Sequence, residues 1–156
     1  MTSILPPIPR FVFTILEPLS LIAGAVAPFI SPEWFVAEQI PISPLDPISA
    51  NTRVVAYQLG NIYLLLAMVG VAVLYQTTEP KVVRNYVIAL WIADIGHVGI
   101  TFSGMDYNRL TDLPNWNPMT WGNIGATVAL FLTRTAYLLG LFGQDRQVTP
   151  ISKKVQ

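Results

Sequence analysis

Four stretches of this chain, at about 11–30, 54–75, 82–104 and 120–143, are long and apolar enough to cross a bilayer as helices; a span takes about 20 residues. Runs of that kind leave few folds open, because in hydrocarbon only helices and closed barrels satisfy their own backbone polar groups. As buried helices of a water-soluble bundle, the four would need a polar cover. Too little sequence lies outside them to supply it, and none shows a broad charged face. Composition agrees: 53% of the chain is apolar and 12% charged, where soluble domains carry about 25% charged residues. The expected fold is all-α: a single integral-membrane domain over 1–156, built as a four-helix transmembrane bundle in the lipid bilayer.

Several function classes drop out early. Nine Lys and Arg balance nine Asp and Glu, so no net field points to nucleic acid. With no Cys, disulfides, thiolate catalysis and Cys-ligated zinc are excluded. A single His and scattered carboxylates suit neither zinc nor non-haem iron, so no metal and no cofactor is expected. Arg10 before an apolar run and Ala25-Val26-Ala27 resemble a signal peptide with its cleavage site. Glu17-Pro18 interrupts that run, however, and Pro28 would follow the cut directly, so the segment is expected to stay as the first span.

The connections set the topology. About six residues, Gln76 to Lys81, join the second and third spans, which makes a tight antiparallel hairpin. The loop 31–53 contains Pro32, Pro41, Pro44 and Pro47, which deny it a long helix. The loop 105–119 is polar and turn-rich. Four spans put both termini and the hairpin on one side, with Arg10, Lys81, Arg84, Arg146, Lys153 and Lys154. Only Arg53 and Arg109 lie in the two long loops. That bias places the termini in the cytoplasm, with Trp34, Trp116 and Trp121 at the opposite interface. The endoplasmic reticulum is the expected compartment by default, with a basic tail and no recognisable retrieval tetrapeptide to specify it.

Glu17, Asp94, His97 and Arg134 fall inside the spans, and each costs about 2.5–3.5 kcal/mol near mid-bilayer unless it faces the protein interior. Helical spacing collects them into one polar stripe per helix: Thr14 and Glu17; Gln58 and Asn61; Asp94, His97 and Thr101; Asn123, Thr127 and Arg134. At about 1.5 Å per residue, Glu17 lies roughly 9 Å from the hairpin-side end, Arg134 roughly 13 Å and Asp94 about 18 Å. Asn61 and His97 lie at about 21–22 Å and Gln58 at about 26 Å. Two clusters are expected. Arg134 pairs with Glu17 or Asp94, and His97 sits with Asn61 and Gln58.

A carboxylate one turn from an imidazole, as in Asp94-x-x-His97, can set its tautomer and make a proton donor–acceptor pair. The same spacing also describes a His satisfied by Asp94 and Asn61 with no chemistry, and a Glu17–Arg134 pair serves equally to hold helices in register. Ala89-x-x-x-Ala93 and Gly125-x-x-x-Ala129 read as close-approach signals. Pro18 should kink the first span and free a carbonyl for a neighbour.

The segments Leu5-Pro6-Pro7-Ile8-Pro9-Arg10-Phe11, Glu17-Pro18, Gln58-Leu59-Gly60-Asn61, Ala93-Asp94-Ile95-Gly96-His97, Trp121-Gly122-Asn123 and Tyr137-Leu138-Leu139-Gly140-Leu141-Phe142-Gly143 resemble a family of small fungal integral-membrane proteins. The resemblance runs from about residue 5 to 143. It implies four spans and, because some members are encoded in natural-product gene clusters, an accessory or cyclising role on terpenoid or polyketide intermediates. More loosely, the layout is similar to four-span sterol isomerase-like proteins, whose membrane cavities use His and carboxylates for proton transfer. Only that architecture carries over.

Three functions stay open. In an isomerase or cyclase for an apolar metabolite, Asp94, His97 and Glu17 are the catalytic candidates and Gln58, Asn61, Asn123 and Arg134 the ligand-binding ones. A carboxylic acid at Asp94 or Glu17 is then a better donor to a double bond than an imidazolium. A scaffold or accessory partner of membrane-bound biosynthetic enzymes needs none of this chemistry. Transport would need oligomers, four spans being few for it.

Overall fold

The structure, a computed structural model, describes residues 3–40 and 47–146. Pro41, Pro44, Lys153 and Lys154, which entered the loop and orientation arguments, lie outside the described residues. Helices dominate, and there is no strand among the described residues. Helix α1 is Pro7–Ile30, α2 Pro32–Ala37, α3 Ala50–Gln76, α4 Pro80–Gly104 and α5 Tyr107–Thr111. The last helix, α6, covers 118–138, with a short 3-10 turn before it at Leu113–Asn115.

The starts of the long helices lie before the apolar runs because the caps do. Pro7 and Pro80 sit in the first turns of α1 and α4, where the missing N–H would have no helical partner anyway. Ser49 caps α3, its hydroxyl accepting from the Thr52 N–H at 3.0 Å. Helix α6 stops at Leu138 instead of 143 because Gly140 takes φ +74°. Its N–H donates to the Tyr137 carbonyl and that of Leu141 to Ala136, both at 2.9 Å, the double closure that ends a helix at a left-handed glycine.

Three described helices, α1, α3 and α4, are long and apolar enough to cross a membrane. The fourth expected span, 120–143, is not among them. Its helix α6 is interrupted by Asn123, Thr127, Thr133, Arg134 and Thr135, which lower its apolar content below that of the others.

The long helices associate as two antiparallel pairs. In the first, α1 lies along α3 at Gly60, where a Cβ would come within 2.7 Å of Pro28 Cγ and 2.9 Å of the Ala25 carbonyl oxygen. In the second, α4 lies along α6, with Trp91 stacked on Phe131 at 5.4 Å and its indole N–H donating to Thr135 Oγ1 at 2.9 Å. One apolar cluster of Ile4, Leu5, Phe13, Leu74, Val83, Val87 and Tyr137 joins the pairs at the hairpin end. The buried segment Ser3–Pro6 plugs that end, and the Arg146 N–H donates to the Ile4 carbonyl at 2.7 Å. The hairpin, the segment before α1 and the segment after α6 therefore share one end of the bundle. Helices α2 and α5 sit at the other, with the Trp116 ring edge-on to Trp121 at 5.0 Å.

Because the α1–α3 contact tolerates no Cβ at Gly60, Gly60→Ala should destabilise the protein by about 1–3 kcal/mol, the usual cost of overpacking. Gly96→Ala, with nothing within 4 Å of its new methyl, should leave the melting temperature in detergent unchanged or slightly raised. Thermal unfolding of the two variants side by side checks this, and equal melting points would refute the close contact.

Candidate functional site

A short π-helical turn at Val12–Leu16 precedes Glu17-Pro18 in α1. Pro18 has no N–H, so the Thr14 carbonyl loses its α-helical donor. The Tyr75 hydroxyl of α3 supplies one at 3.0 Å, as expected of a proline that frees a carbonyl for a neighbouring helix. This irregular turn, tied to α3, sets the rotation of α1 that points Glu17 inward. Such π turns recur where a helix must re-aim a functional side chain, and α6 contains a second one at Trp121–Ala126.

Glu17 meets Arg134 from α6 and Asp94 from α4. The guanidinium donates through Nη2 to Glu17 Oε1 and through Nη1 to Asp94 Oδ2. It also stands over the Phe13 ring at 5.5 Å, a cation–π arrangement. Arg134 is 1% exposed, Glu17 7% and Asp94 8%. A planar fork is the one cationic side chain that can reach two carboxylates in fixed directions. With both acids ionised the triad carries a formal charge of −1, and uptake of one proton makes it neutral.

Above the triad lies a cavity of about 490 Å³, half-open and mostly apolar-walled, within the range that holds drug-sized ligands. Glu17, Asp94 and Arg134 form its floor. Tyr63 of α3, Tyr86 and Leu90 of α4 and Leu130 of α6 form walls, and Trp34 and Phe35 of α2 reach its far end. His97 lines it one turn beyond Asp94; its ring is half-buried and has no hydrogen bond among the described residues. Asp94 is turned toward Arg134, so the carboxylate–imidazole contact that the spacing suggested is not made here. Asn123 also lines the cavity, its amide donating to Gln39 Oε1 at 2.7 Å. Asn117 donates to the Glu38 carbonyl at 3.0 Å and to its carboxylate at 2.6 Å. These bonds fasten the chain after α2 to the start of α6 at the mouth.

Five of the seven candidates, Glu17, Asp94, His97, Asn123 and Arg134, thus share one cavity. Gln58 and Asn61 do not. Both are exposed, and neither lines the cavity. The expected cluster of His97 with Asn61 and Gln58 is not formed, because the tight contact at Gly60 turns α3 so that Tyr63 faces the cavity and the two amides face outward. Sequence reasoning missed Tyr63, Tyr86, Trp34 and Phe35. Tyr86 was findable, since it lies eight residues before Asp94 on the same helical face. Trp34 was read as an interfacial anchor, and no sequence signal placed α2 across the cavity. Among the described residues, no group of three or more His, Asp or Glu side chains is placed to hold a metal.

The charge count ranks the triad variants. Arg134→Met strands two adjacent buried carboxylates and should cost about 3–5 kcal/mol, as breaking a buried ion pair does. Glu17→Gln leaves a neutral Asp94–Arg134 pair and should cost distinctly less. Expression level and thermal stability in detergent measure the order; a Glu17→Gln loss as large as that of Arg134→Met would contradict it.

No curated protein and no solved structure matches the chain. Residues 2–144, nearly the whole length and all of the cavity-lining helices, match the family described as Domain of unknown function (DUF7704), and the chain belongs to that family.

Proposed function

We propose that this is a four-span membrane protein that binds an apolar small molecule in the cavity and moves a proton on it, as an isomerase or cyclase of secondary metabolism. Supporting four spans, the hairpin, the described segment before α1 and the described segment after α6 meet at one end of the bundle, which α6 must then reach from the far side. The positive-inside bias favours the cytoplasm for that end, the resemblance to the small fungal family suggests terpenoid or polyketide intermediates, and the endoplasmic reticulum is the default compartment.

The observation that carries the reading is an apolar cavity that ends on buried charge: hydrophobic walls over Glu17, Arg134, Asp94 and His97. Apolar walls position a hydrocarbon skeleton and exclude water, while a few polar groups act on it. In the proposed step a carboxyl proton held by the triad passes to one carbon of a double bond. His97 then takes a proton from a neighbouring carbon, directly or after ring closure. Its return to Asp94, one helical turn away, resets the site. No electrons are gained or lost, so no oxidant or cofactor is needed. Arg134 orients both carboxylates and balances the one that stays ionised.

A second reading, a non-catalytic scaffold for biosynthetic enzymes, draws on the same triad. Its three members pair with one another through Arg134 Nη1 and Nη2, as a register lock would require. His97 separates the two, because it lies outside the ion pairs.

The test is genetic. The gene is deleted in the producing organism and extracted metabolites are compared after complementation with the wild type or His97→Ala. The catalytic reading expects a precursor to accumulate in the deletion and in the His97→Ala strain, and to disappear with the wild type. Full rescue by His97→Ala, at normal protein level, would sink it in favour of the scaffold.

A further inference from the structure

The two amides excluded from the cavity raise a separate problem, independent of what the cavity does. Helix α3 is one of the helices long and apolar enough to cross the bilayer. Gln58 and Asn61 stand within its apolar run, exposed, and their side chains make no hydrogen bond among the described residues. Lipid tails offer neither donor nor acceptor, and an amide without a partner in such surroundings costs several kcal/mol.

The surrounding residues form a pattern. Val55, Gln58, Ile62, Leu65, Val69 and Ala72 follow alternating steps of three and four, and every one is exposed. Asn61 flanks the line. Apart from Ala72, which borders a groove shared with Pro18 and Ile22 of α1, the stripe lies on the far side of α3 from Gly60, which faces α1, and from Tyr63, which faces the cavity. A seam with a 3.5-residue period lets two helices wind around each other over many turns, whereas a lipid-facing surface has no reason to keep such a register around a pair of amides.

We propose that this stripe is a homodimer interface, at which α3 of a second copy packs in parallel. Two properties of the surface select a second copy. Copies inserted in one membrane share an orientation, so a two-fold axis along the membrane normal sets each stripe position against its own counterpart. An amide is both donor and acceptor, so Gln58 opposite Gln58, with Asn61 beside it, is self-complementary. The apolar steps Ile62, Leu65 and Val69 then supply close side-chain contact along the seam.

The chain has no cysteine, which makes disulfide scanning in native membranes direct. Single substitutions Ile62→Cys, Leu65→Cys and Val69→Cys, oxidised with copper phenanthroline, should give a band of twice the monomer mass. Controls on other outward faces, Val71→Cys on α3 and Ile92→Cys and Ile95→Cys on α4, should not, because a disulfide needs Cα atoms within about 7 Å. Adding Gln58→Leu and Asn61→Leu to Leu65→Cys should lower the cross-linked fraction about tenfold. Monomer melting should stay unchanged, since neither side chain has a hydrogen-bond partner among the described residues. Dimer bands at the controls but not along the stripe would overturn the proposal. So would no dimer band at any position, or cross-linking only to a protein of different mass.

Discussion

The bundle depends on one guanidinium. Glu17 belongs to the α1–α3 pair, while Asp94 and Arg134 belong to the α4–α6 pair. The fork of Arg134 is therefore a buried polar bridge between two halves that also meet through the apolar cluster at the hairpin end and through the Asn117 and Asn123 amides at the mouth. Charges in hydrocarbon must be paired or turned inward, and this triad does both. Its depth has a structural consequence: the halves are held at and below the triad and again at the mouth, and between the two they leave the cavity. The same constraint that joins the helices leaves the space between them.

Local chain chemistry serves that geometry. Without Pro18 and the π turn before it, Glu17 would sit at a different rotation on α1. Tyr75, which supplies the missing donor to Thr14, links that turn to α3. Gly60 brings α1 and α3 close enough for Tyr63 to reach the cavity, and the Asn117 and Asn123 amides hold the far end shut against the segment that follows α2. Each is a short-range feature whose effect appears only across helices.

Much of this was legible in the sequence, for a physical reason. Transfer cost forces intramembrane charges to converge, so periodicity and depth were enough to bring Arg134 to Glu17 or Asp94, though not to show that its fork takes both. The same reasoning failed for Gln58 and Asn61. Amides are cheaper to expose than charges, and the rotation of α3 is set by Gly60, whose close contact with Ala25 and Pro28 no single-helix pattern reveals. The expected 120–143 span shows the converse limit. Placing Arg134 at the core of the bundle makes α6 less apolar than its neighbours, so a helix central to the site is the weakest membrane signal in the chain.

The claim that Arg134 joins the two halves by neutralising both carboxylates is tested most directly by a double-mutant cycle on Glu17 and Arg134, read by reversible unfolding in detergent. Residues in one ion-pair network are non-additive. Adding Glu17→Gln to Arg134→Met removes one of the two stranded carboxylates, so the account predicts that the double variant is more stable than Arg134→Met alone. If the losses simply add, making the double variant the least stable of the set, Glu17 and Arg134 do not share a buried site and the account is wrong.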